Sequence, residues 1–396
     1  MATDKLSKTC APDSIIFEYP FEWNKDKNQQ HKIFLDNFIH VITLANKPLS
    51  IINAPWPSYG VERITQENII TIAFHSFNNP ANVWTIKESP VYGLYSIDKN
   101  GYSGWSEINQ NRSKFLKLSN KLSQAETKEI LEQYRLQICK GVSKYQQPKA
   151  ATDLPEHFIL FPLQVQTDSV AQLAYIDSLD VLERLNILSK KYQQHIIVKR
   201  HPWCQSNAIP LKLQILTQNN PYLTVSNTDI THLIQQSDAV ISCNSGVSLE
   251  ALICDKPVFC FGASEWEYAS NSIQTLDEVE QVFTSRVKMN PSQEKFIAFL
   301  LSDYWVKFDD IDALKKRFDL ICKEYIPDIG THVNSKEEAR TYLERYLLKF
   351  QKSYTAQKNE LLKIEKEYIH LVKDVKAIKK NPAVALSYFL KTLFRR

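Results

Sequence analysis

Residues 238–262, DAVISCNSGVSLEALICDKPVFCFG, alternate between β-forming and helix-forming segments. The pattern predicts a buried strand over Asp238–Ser242, a helix over Val247–Cys254 and a second strand over Pro257–Phe261. The turn Cys243–Gly246 places small polar residues and the unpaired N–H groups of a helix start at the carboxyl end of a strand. Open α/β sheets bind ligands at this edge, so the turn is a candidate anion site.

A purely structural interpretation of this turn stays open. Asn244 or Ser245 can cap the helix, and Gly246 can relieve the turn. Ser248 and Glu250 follow on the first helical turns, and a Lys-Pro-Val strand comes next. This order resembles the nucleotide-binding half of GT-B glycosyltransferases and of the related sugar-nucleotide 2-epimerases. The resemblance implies a helix start that holds the donor phosphate and a glutamate that reaches the ribose.

Length and composition limit the class of protein. The chain has 396 residues, 43% hydrophobic and 23% charged, which predicts a globular protein of two domains plus extra elements. A net charge of +4 suits an anionic ligand or a membrane surface. No run of Lys and Arg is interleaved with aromatics, so we expect no nucleic-acid partner. The eight glycines form neither G-x-G-x-x-G nor G-x-x-x-x-G-K, which argues against a dinucleotide fold and a P-loop.

Cysteine spacing and hydropathy predict a cytoplasmic location, with the inner face of the cytoplasmic membrane as an alternative. The seven cysteines are scattered without a Cys-x-x-Cys pair, which is typical of reduced thiols rather than of disulfides or a zinc site. The N-terminus, MATDKLSKTC, lacks the apolar segment of a signal peptide. No apolar run approaches the ~18 residues that span a bilayer.

The element pattern divides the chain into an N-terminal domain over 1–150, a second domain over 151–330 and a helical extension over 331–396. Strands of the first domain are predicted at Ser14–Glu18, Phe38–Leu44, Ile69–Phe74 and Val83–Ile86, with helices near Asn28–Leu35 and Lys128–Lys140. The polar stretch 144–156 is the predicted linker. The extension ends in a short apolar helix from Pro382, which either packs on the protein or a partner, or docks on a membrane surface.

The second domain alternates strands with helices, which predicts a parallel sheet with right-handed crossovers. Its predicted strands are Phe158–Leu163, Ile196–Lys199 and Leu223–Val225, and its predicted helices are Ser169–Tyr192, Leu211–Gln218 and Ile230–Gln236. Further helices are predicted over Leu276–Ser285, Gln293–Ser302 and Ile311–Glu324. The acidic motif Asp310-Ile-Asp312 opens the last of these, where carboxylates suit the helix dipole, so we interpret it as structural rather than as a metal site.

Three loops after predicted strands carry chemically active side chains: Gln164, Gln166 and Asp168 in the first, Lys199, Arg200 and His201 in the second, and Asn244, Ser245 and Gly246 in the third. The carboxyl ends of parallel strands meet at one sheet edge, so these groups should surround one spot. The set fits glycosyl transfer from an activated sugar. Lys199, His201 and the helix start can stabilise a leaving phosphate, and His201 can supply a proton. Asp168 can stabilise or attack the anomeric carbon.

Each of these residues also has a structural alternative. Asp168 can be the N-cap of the helix predicted to start at Ser169, and His201 can be a satisfied histidine in a His-Pro turn. Lys199 can belong to a solvated surface. In the first domain, Glu88 follows a predicted strand, so it either points into a cleft between the domains or is an exposed loop residue.

The motifs Leu163-Gln-Val-Gln-Thr-Asp168, Val198-Lys-Arg-His-Pro202 and Ser242-Cys-Asn-Ser-Gly-Val-Ser248 occur in this order. Together they resemble the bacterial capsule-polysaccharide Kdo transferases over about 155–265. The resemblance implies a GT-B fold, an α/β architecture of two Rossmann-like domains facing a cleft. It also implies retaining transfer of β-Kdo from CMP-β-Kdo to a glycan or glycolipid acceptor in capsule or lipopolysaccharide O-antigen synthesis.

The same resemblance implies residue roles. Asp168 would be the nucleophile that forms a glycosyl-enzyme intermediate, and Glu88 an acid/base for the acceptor. Family members commonly have a Glu-Asp-Gly-Phe type motif there, whereas Glu88 is followed by Ser-Pro-Val-Tyr-Gly. The donor-binding residues would be Lys199, His201, Asn244, Ser245, Gly246, Ser248 and Glu250, with Gln164 and Gln166 nearby in the cleft. CMP leaves as a monophosphate, with no diphosphate for a divalent ion to clamp, so we expect no metal and no other cofactor.

Other functions stay open at this stage. Within enzymes they are a transferase using CMP-sialic acid, an inverting UDP-sugar transferase and a UDP-sugar 2-epimerase. A non-catalytic capsule assembly or export factor is the alternative outside enzymes. The sequence predicts no particular oligomeric state.

Overall fold

The computed structural model describes residues 12–25, 29–54, 63, 65, 68–142, 154–204, 206 and 208–327. The predicted extension over 331–396, including its apolar helix from Pro382, lies outside the described residues, as does most of the predicted linker 144–156. Both sheets described below belong to one compact unit, Met1–Gln205 with Leu213–Thr331.

The strands of the described residues form two sheets of six strands each. They are β1 (Ser14–Tyr19), β2 (Leu49–Asn53), β3 (Ile69–Phe74), β4 (Val83–Glu88), β5 (Leu94–Asp98), β6 (Phe158–Pro162), β7 (His195–Lys199), β8 (Leu223–Val225), β9 (Ala239–Ser242), β10 (Val258–Cys260), β11 (Asn271–Ser272) and β12 (Val306–Lys307).

The first sheet has the order β12-β5-β4-β3-β1-β2. Strands β1 to β4 run parallel, whereas β5 is antiparallel to β4 and β12 is antiparallel to β5. Strand β12 therefore returns the chain to the first sheet after the second sheet is complete. The predicted boundaries at 150 and 330 stay predictions, but the strand pairing joins Val306–Lys307 to the first sheet.

The second sheet has the order β11-β10-β9-β6-β7-β8 and is parallel throughout. From β6 the chain adds β7 and β8 towards one edge of the sheet, and from β9 it adds β10 and β11 towards the other edge. The topological switch point therefore lies between β6 and β9. Ile159 and Leu160 of β6 pair there with Ala239 and Val240 of β9. All four are completely buried, as expected for a parallel sheet covered on both faces.

The helices cover the two sheets. They are α1 (Gln30–Leu44), α2 (Glu107–Gln110), α3 (Arg112–Ser119), α4 (Gln124–Cys139), α5 (Ser178–Tyr192), α6 (Ala208–Gln218), α7 (Ile230–Gln236), α8 (Gly246–Ile253), α9 (Gln281–Thr284), α10 (Pro291–Phe299) and α11 (Ile311–Lys323). Phe38 of α1 packs edge-on against Phe318 of α11, and both belong to the core of the first sheet. None of the described helices is long and apolar enough to cross a membrane.

Several element predictions were wrong in detail. Phe38–Leu44 was predicted as a strand but forms the second half of α1, whose buried residues recur at helical spacing. Ser169–Tyr192 is not one helix, because a short 3-10 helix over Ser169–Leu173 ends before α5 begins. Leu276–Ser285 contains only a 3-10 turn followed by α9. Asp310 caps α11, its carboxylate accepting from the Ala313 N–H at 2.9 Å, in keeping with its structural interpretation.

The predicted fold class is confirmed. Two sheets rich in parallel strands, each covered by helices, give the α/β architecture of two Rossmann-like domains expected of a GT-B fold.

Candidate functional site

One cavity of about 550 Å³ lies where loops from the two sheets meet. Loops after β6, β7 and β9 form one wall, which places the cavity at the switch point of the second sheet. Its lining includes most of the predicted site residues: Glu88, Gln164, Asp168, Lys199, His201, Asn244, Ser245, Gly246 and Glu250. Gln166 and Ser248 are not among the lining residues. Gln166 is exposed on its loop, and Ser248 is buried in α8.

A pair of side-chain amides joins two of the loops. The Gln164 amide donates to Asn244 Oδ1 at 2.7 Å, and the Asn244 backbone N–H donates back to Gln164 Oε1 at 3.2 Å. The Asn244 amide also donates to the carbonyls of Val170 and Ala263, at 2.9 and 3.0 Å. These contacts commit the side-chain donors of Asn244 to the protein. Its proposed contact with a phosphate stays a prediction, and its observed bonds shape the cavity wall.

The start of α8 is capped and tightly packed. Ser245 is the N-cap, with its hydroxyl accepting from the Val247 N–H at 3.3 Å. Ser248 donates its hydroxyl to the Ser245 carbonyl and accepts from the Trp266 indole N–H at 3.1 Å. A Cβ on Gly246 would lie 2.7 Å from Cβ of Pro90, so only glycine allows the helix start to approach this loop of the first sheet.

Lys199, the last residue of β7, and His201, two residues later, lie on the cavity wall. Lys199 is buried, and its Nζ donates to the Thr228 carbonyl at 2.6 Å. Burial lowers the pKa of Lys199, and the nearby Asp229 carboxylate opposes that shift. His201 Nδ1 accepts the Trp203 N–H at 3.1 Å, so a neutral His201 ring carries its proton on Nε2. In this form, Nε2–H of His201 can donate a hydrogen bond to a phosphate oxygen.

Asp168 lies on the exposed part of the loop after β6. It precedes the 3-10 helix at Ser169, but its side chain makes no capping hydrogen bond. Its Oδ1 instead accepts from the Ser169 hydroxyl at 3.2 Å. The Asp168 carboxylate therefore does not cap the helix, which was the structural alternative for this residue.

Glu88 is the last residue of β4 rather than a loop residue, and it belongs to a cluster of ionisable groups. Its Oε2 lies 3.2 Å from His75 Nε2, and Lys87 Nζ lies 3.0 Å from the same nitrogen. The side chains of His75 and Glu88 are only 15% and 17% exposed. His75 has a positive φ of 49°, an uncommon conformation for histidine that holds its ring stacked on Phe74.

Two further carboxyl groups in the wall have raised pKa values. Burial, assisted by the charge of Asp229, raises the pKa of Glu250 to about 8. Burial also raises the pKa of Glu265 to about 7, although its Oε1 accepts the Ser103 N–H at 2.7 Å. Perturbed carboxyl groups in a cavity are typical of functional sites. Both groups can carry a proton near neutral pH and donate it to a ligand.

Sequence reasoning missed three residues at this site: His75, Tyr102 and Glu265. His75 directly follows β3, so the strand-end rule applied to Glu88 would have found it. Tyr102 is completely buried behind the wall, with its hydroxyl 2.8 Å from that of Ser169. Tyr102 lies four residues beyond the end of β5, and Glu265 lies three residues beyond the predicted βαβ unit. No sequence signal distinguished either residue.

The described residues offer no group of three or more His, Cys, Asp or Glu side chains that could hold a metal ion. Their six cysteines are free thiols. The expectation that the reaction needs no metal stays a prediction.

Solved structures similar to this chain include two from Thermosulfurimonas dismutans KpsC. The β-Kdo 2,7 transferase is 16% identical, with 76% of this chain and 99% of that chain covered and a TM-score of 0.44. The β-Kdo 2,4 transferase is 14% identical, with 76% and 98% covered and a TM-score of 0.44. UDP-GlcNAc 2-epimerase from Methanocaldococcus jannaschii is 10% identical, with 78% and 99% covered and a TM-score of 0.35.

Sequence comparison adds a match to a family. A search of curated protein sequences finds no match. The model of a family described as capsule polysaccharide biosynthesis protein matches residues 106–302. The match includes all of the second sheet and its cavity loops, whereas Glu88 and His75 precede it. This segment, just under half of the chain, is therefore similar to capsule polysaccharide biosynthesis proteins.

Proposed function

We propose that this chain is a retaining glycosyltransferase that transfers β-Kdo from CMP-β-Kdo to a glycan or glycolipid acceptor during synthesis of a surface polysaccharide. The observation that carries the proposal is the meeting of Asp168, His201 and the start of α8 around one cavity, with Glu88 on the facing wall. The match of residues 106–302 to the capsule polysaccharide biosynthesis family supports a glycosyltransferase role. The donor and the stereochemistry come from the resemblance of the three loop motifs.

In the proposed first step, a carboxylate oxygen of Asp168 attacks the anomeric carbon of Kdo. The bond from that carbon to the phosphate oxygen breaks, and its electron pair leaves with CMP. His201 Nε2–H and the helix start stabilise the negative charge that develops on the phosphate. The product of this step is a glycosyl ester on Asp168.

In the second step, an acceptor hydroxyl attacks the same carbon from the face that CMP has vacated. Glu88 takes the hydroxyl proton, and the bond to Asp168 breaks with return of its electron pair to the carboxylate. Two inversions give net retention. The cytoplasmic face of the membrane, where a lipid-linked acceptor would be presented, is part of this proposal.

A thermal-shift titration with CMP, UMP and UDP tests the donor class. Stabilisation by CMP over both uridine nucleotides supports the proposal, because a ligand that binds only the folded state raises the melting temperature. Preference for UDP would instead indicate a UDP-sugar enzyme or an epimerase. No response to any nucleotide would indicate a non-catalytic assembly factor.

The variant Asp168→Asn tests the chemistry. We expect it to lose at least ~10³-fold in kcat while CMP still stabilises the protein, since the nucleophile is lost but the phosphate site is not. Asp177→Asn is the matched control, because Asp177 caps α5 outside the cavity and asparagine caps equally well. Full turnover by Asp168→Asn would remove Asp168 from the mechanism.

A further inference from the structure

A buried tyrosine of the first domain is linked by hydrogen bonds to the carboxylate of Asp168. Tyr102 and Ser169 are 0% and 2% exposed, and their hydroxyl oxygens lie 2.8 Å apart. Ser169 Oγ in turn donates to Asp168 Oδ1 at 3.2 Å. A serine hydroxyl has one proton, and here it goes to the carboxylate. Tyr102 must therefore be the donor to Ser169, and the chain runs in one direction towards Asp168.

The link matters because little else fixes this carboxylate. Asp168 is exposed, and its side chain does not cap the helix that follows. A freely rotating carboxylate would spend little of its time in line with an anomeric carbon, and misplacement by about 1 Å can reduce the rate of a reaction about 10²-fold. A donor on Oδ1 restricts the rotation of the carboxyl group, so that Oδ2 is the oxygen left for attack.

The ring of Tyr102 contacts the cluster of ionisable groups around Glu88, the other candidate catalytic carboxylate. Lys87 Nζ lies 4.8 Å above the ring, and the ring centre of His75 lies 5.5 Å away. Both residues also contact each other beside Glu88. The hydroxyl of Tyr102 is therefore linked through Ser169 to the proposed nucleophile, and its ring contacts the cluster that contains the proposed acid/base.

The backbone next to Tyr102 is itself anchored across the two sheets. Ser103 N–H donates to Glu265 at 2.7 Å, and Ser103 Oγ donates to the Ala263 carbonyl at 3.3 Å. A Cβ on Gly104 would lie 2.5 Å from Cβ of Ala263. A Cβ on Gly104 would also lie 3.1 Å from the side chain of Leu173, in the 3-10 helix that follows Asp168, so the backbone beside Tyr102 is packed against both segments.

We propose that Tyr102 and Ser169 are positioning residues that hold Asp168 in the orientation needed for nucleophilic attack. The inference rests on the proposed function, in which Asp168 is the nucleophile. It adds a specific requirement, namely that a hydroxyl of the first domain controls a reacting group of the second.

Tyr102→Phe tests this inference with the removal of one oxygen atom. The ring, its packing and its contact with Lys87 are retained. We expect kcat for Kdo transfer to fall about tenfold while the KM for the acceptor and the affinity for CMP change less than about twofold. The lost rate should appear in the first step, as slower release of CMP in a single turnover. A kcat equal to that of the wild type would overturn the inference.

Ser169→Ala provides the second variant. Because Tyr102 acts through Ser169, the double variant should be no slower than the slower single variant, whereas independent contributions would multiply. A loss in kcat of the double variant equal to the product of the two single losses would overturn the hydrogen-bonded chain. The matched control is Tyr134→Phe, which removes another buried tyrosine hydroxyl, bonded to the Leu301 carbonyl at 3.2 Å outside the cavity. It should lower stability without changing kcat.

A structural measurement separates failure of this inference from failure of the proposed function. Crystal structures of the wild type and of Tyr102→Phe should show the Asp168 carboxylate rotated or disordered only in the variant. An unmoved carboxylate would overturn the positioning role whatever the enzyme's substrate. If the carboxylate moves in the variant but the wild type neither binds CMP nor transfers Kdo, the positioning role of Tyr102 is supported and the proposed function is overturned.

Discussion

The two walls of the cavity are built from different kinds of interaction. On the second sheet, the wall is held by neutral amides and carbonyls, centred on the reciprocal pair of Gln164 and Asn244. On the first sheet, the wall is held by ionisable groups, with His75 Nε2 within 3.2 Å of both Glu88 and Lys87. The amide pair does not depend on pH, although the same wall also contains the ionisable Glu250 and Glu265. The histidine cluster of the first sheet contains protons that can move between its members.

The difference suits a division of work between the walls. Neutral, fully satisfied networks are rigid and present their remaining dipoles at constant geometry, which is what a phosphate site needs. A nitrogen with one lone pair cannot accept from Lys87 and from a protonated Glu88 at the same time. The histidine cluster therefore has alternative proton arrangements, as an acid/base site requires. Each of the following predictions tests whether this contrast holds.

The largest effect on stability is expected from Asn244→Ala, which breaks the neutral wall. Its amide donates to two carbonyls and accepts from Gln164, so truncation removes three hydrogen bonds from half-buried groups. We expect a loss of about 3 kcal/mol in the free energy of unfolding, measured by urea denaturation. Asn219→Ala is the control, because that exposed side chain donates to the Ile215 carbonyl of the preceding helix at 2.9 Å. A loss in the free energy of unfolding as small as that of the control would show that the amide pair does not stabilise the wall.

The neutral wall could be predicted well from the sequence. The buried strands that end at or just before Lys199 and Asn244 are short apolar runs followed by polar turns. Because the strands are parallel, their carboxyl ends meet at one edge of the sheet. What the sequence could not show was which polar atoms face the ligand. Asn244 and Ser248 were predicted to contact the donor, yet their side chains bond carbonyl and indole groups of the protein. Those bonds depend on Val170, Ala263 and Trp266, which only the folded chain brings within reach.

A smaller effect, on rate rather than stability, is expected from His75→Asn in the charged wall. Asparagine tolerates the positive φ of 49° at this position, so the backbone is retained while the imidazole beside Glu88 is lost. We expect kcat for transfer to fall about fivefold to tenfold with little change in CMP affinity, compared by steady-state kinetics and thermal shift. His157→Asn is the control, since His157 pairs with Asp238 at 3.3 Å on the surface. A change in CMP affinity alone would contradict the division between the walls.

The charged wall was much harder to predict. The left-handed backbone at His75 has no signature in the sequence, and β5, which is antiparallel to β4, was not predicted at all. The helix predicted from Ser169 failed for a related reason. The Tyr175 N–H donates to the Phe261 carbonyl at 2.8 Å, and the Ala263 N–H donates to the Leu173 carbonyl at 3.0 Å. These long-range backbone bonds compete with helix continuation, and local propensity contains no information about them.

The last effect, that of Glu250→Gln on stability, appears only as the pH rises. Burial and the charge of Asp229 raise the pKa of Glu250 to about 8 from an ordinary value of 4.5. Between these values the folded state holds a proton that the unfolded state has released, so the free energy of unfolding falls as pH rises. Glutamine has no such proton to lose. The variant should match the wild type near pH 4, and its advantage in the free energy of unfolding should grow as the pH rises to about 8.

Chemical denaturation at both pH values measures this difference, with Glu129→Gln on the exposed face of α4 as the control. Equal stabilisation at both values would show that packing, not ionisation, is responsible. A parallel CMP titration decides why the carboxyl group is present. If the glutamate reaches the ribose, the variant should bind CMP more weakly while being more stable at high pH. Greater stability combined with weaker binding would place Glu250 among residues that serve the ligand at the expense of the fold.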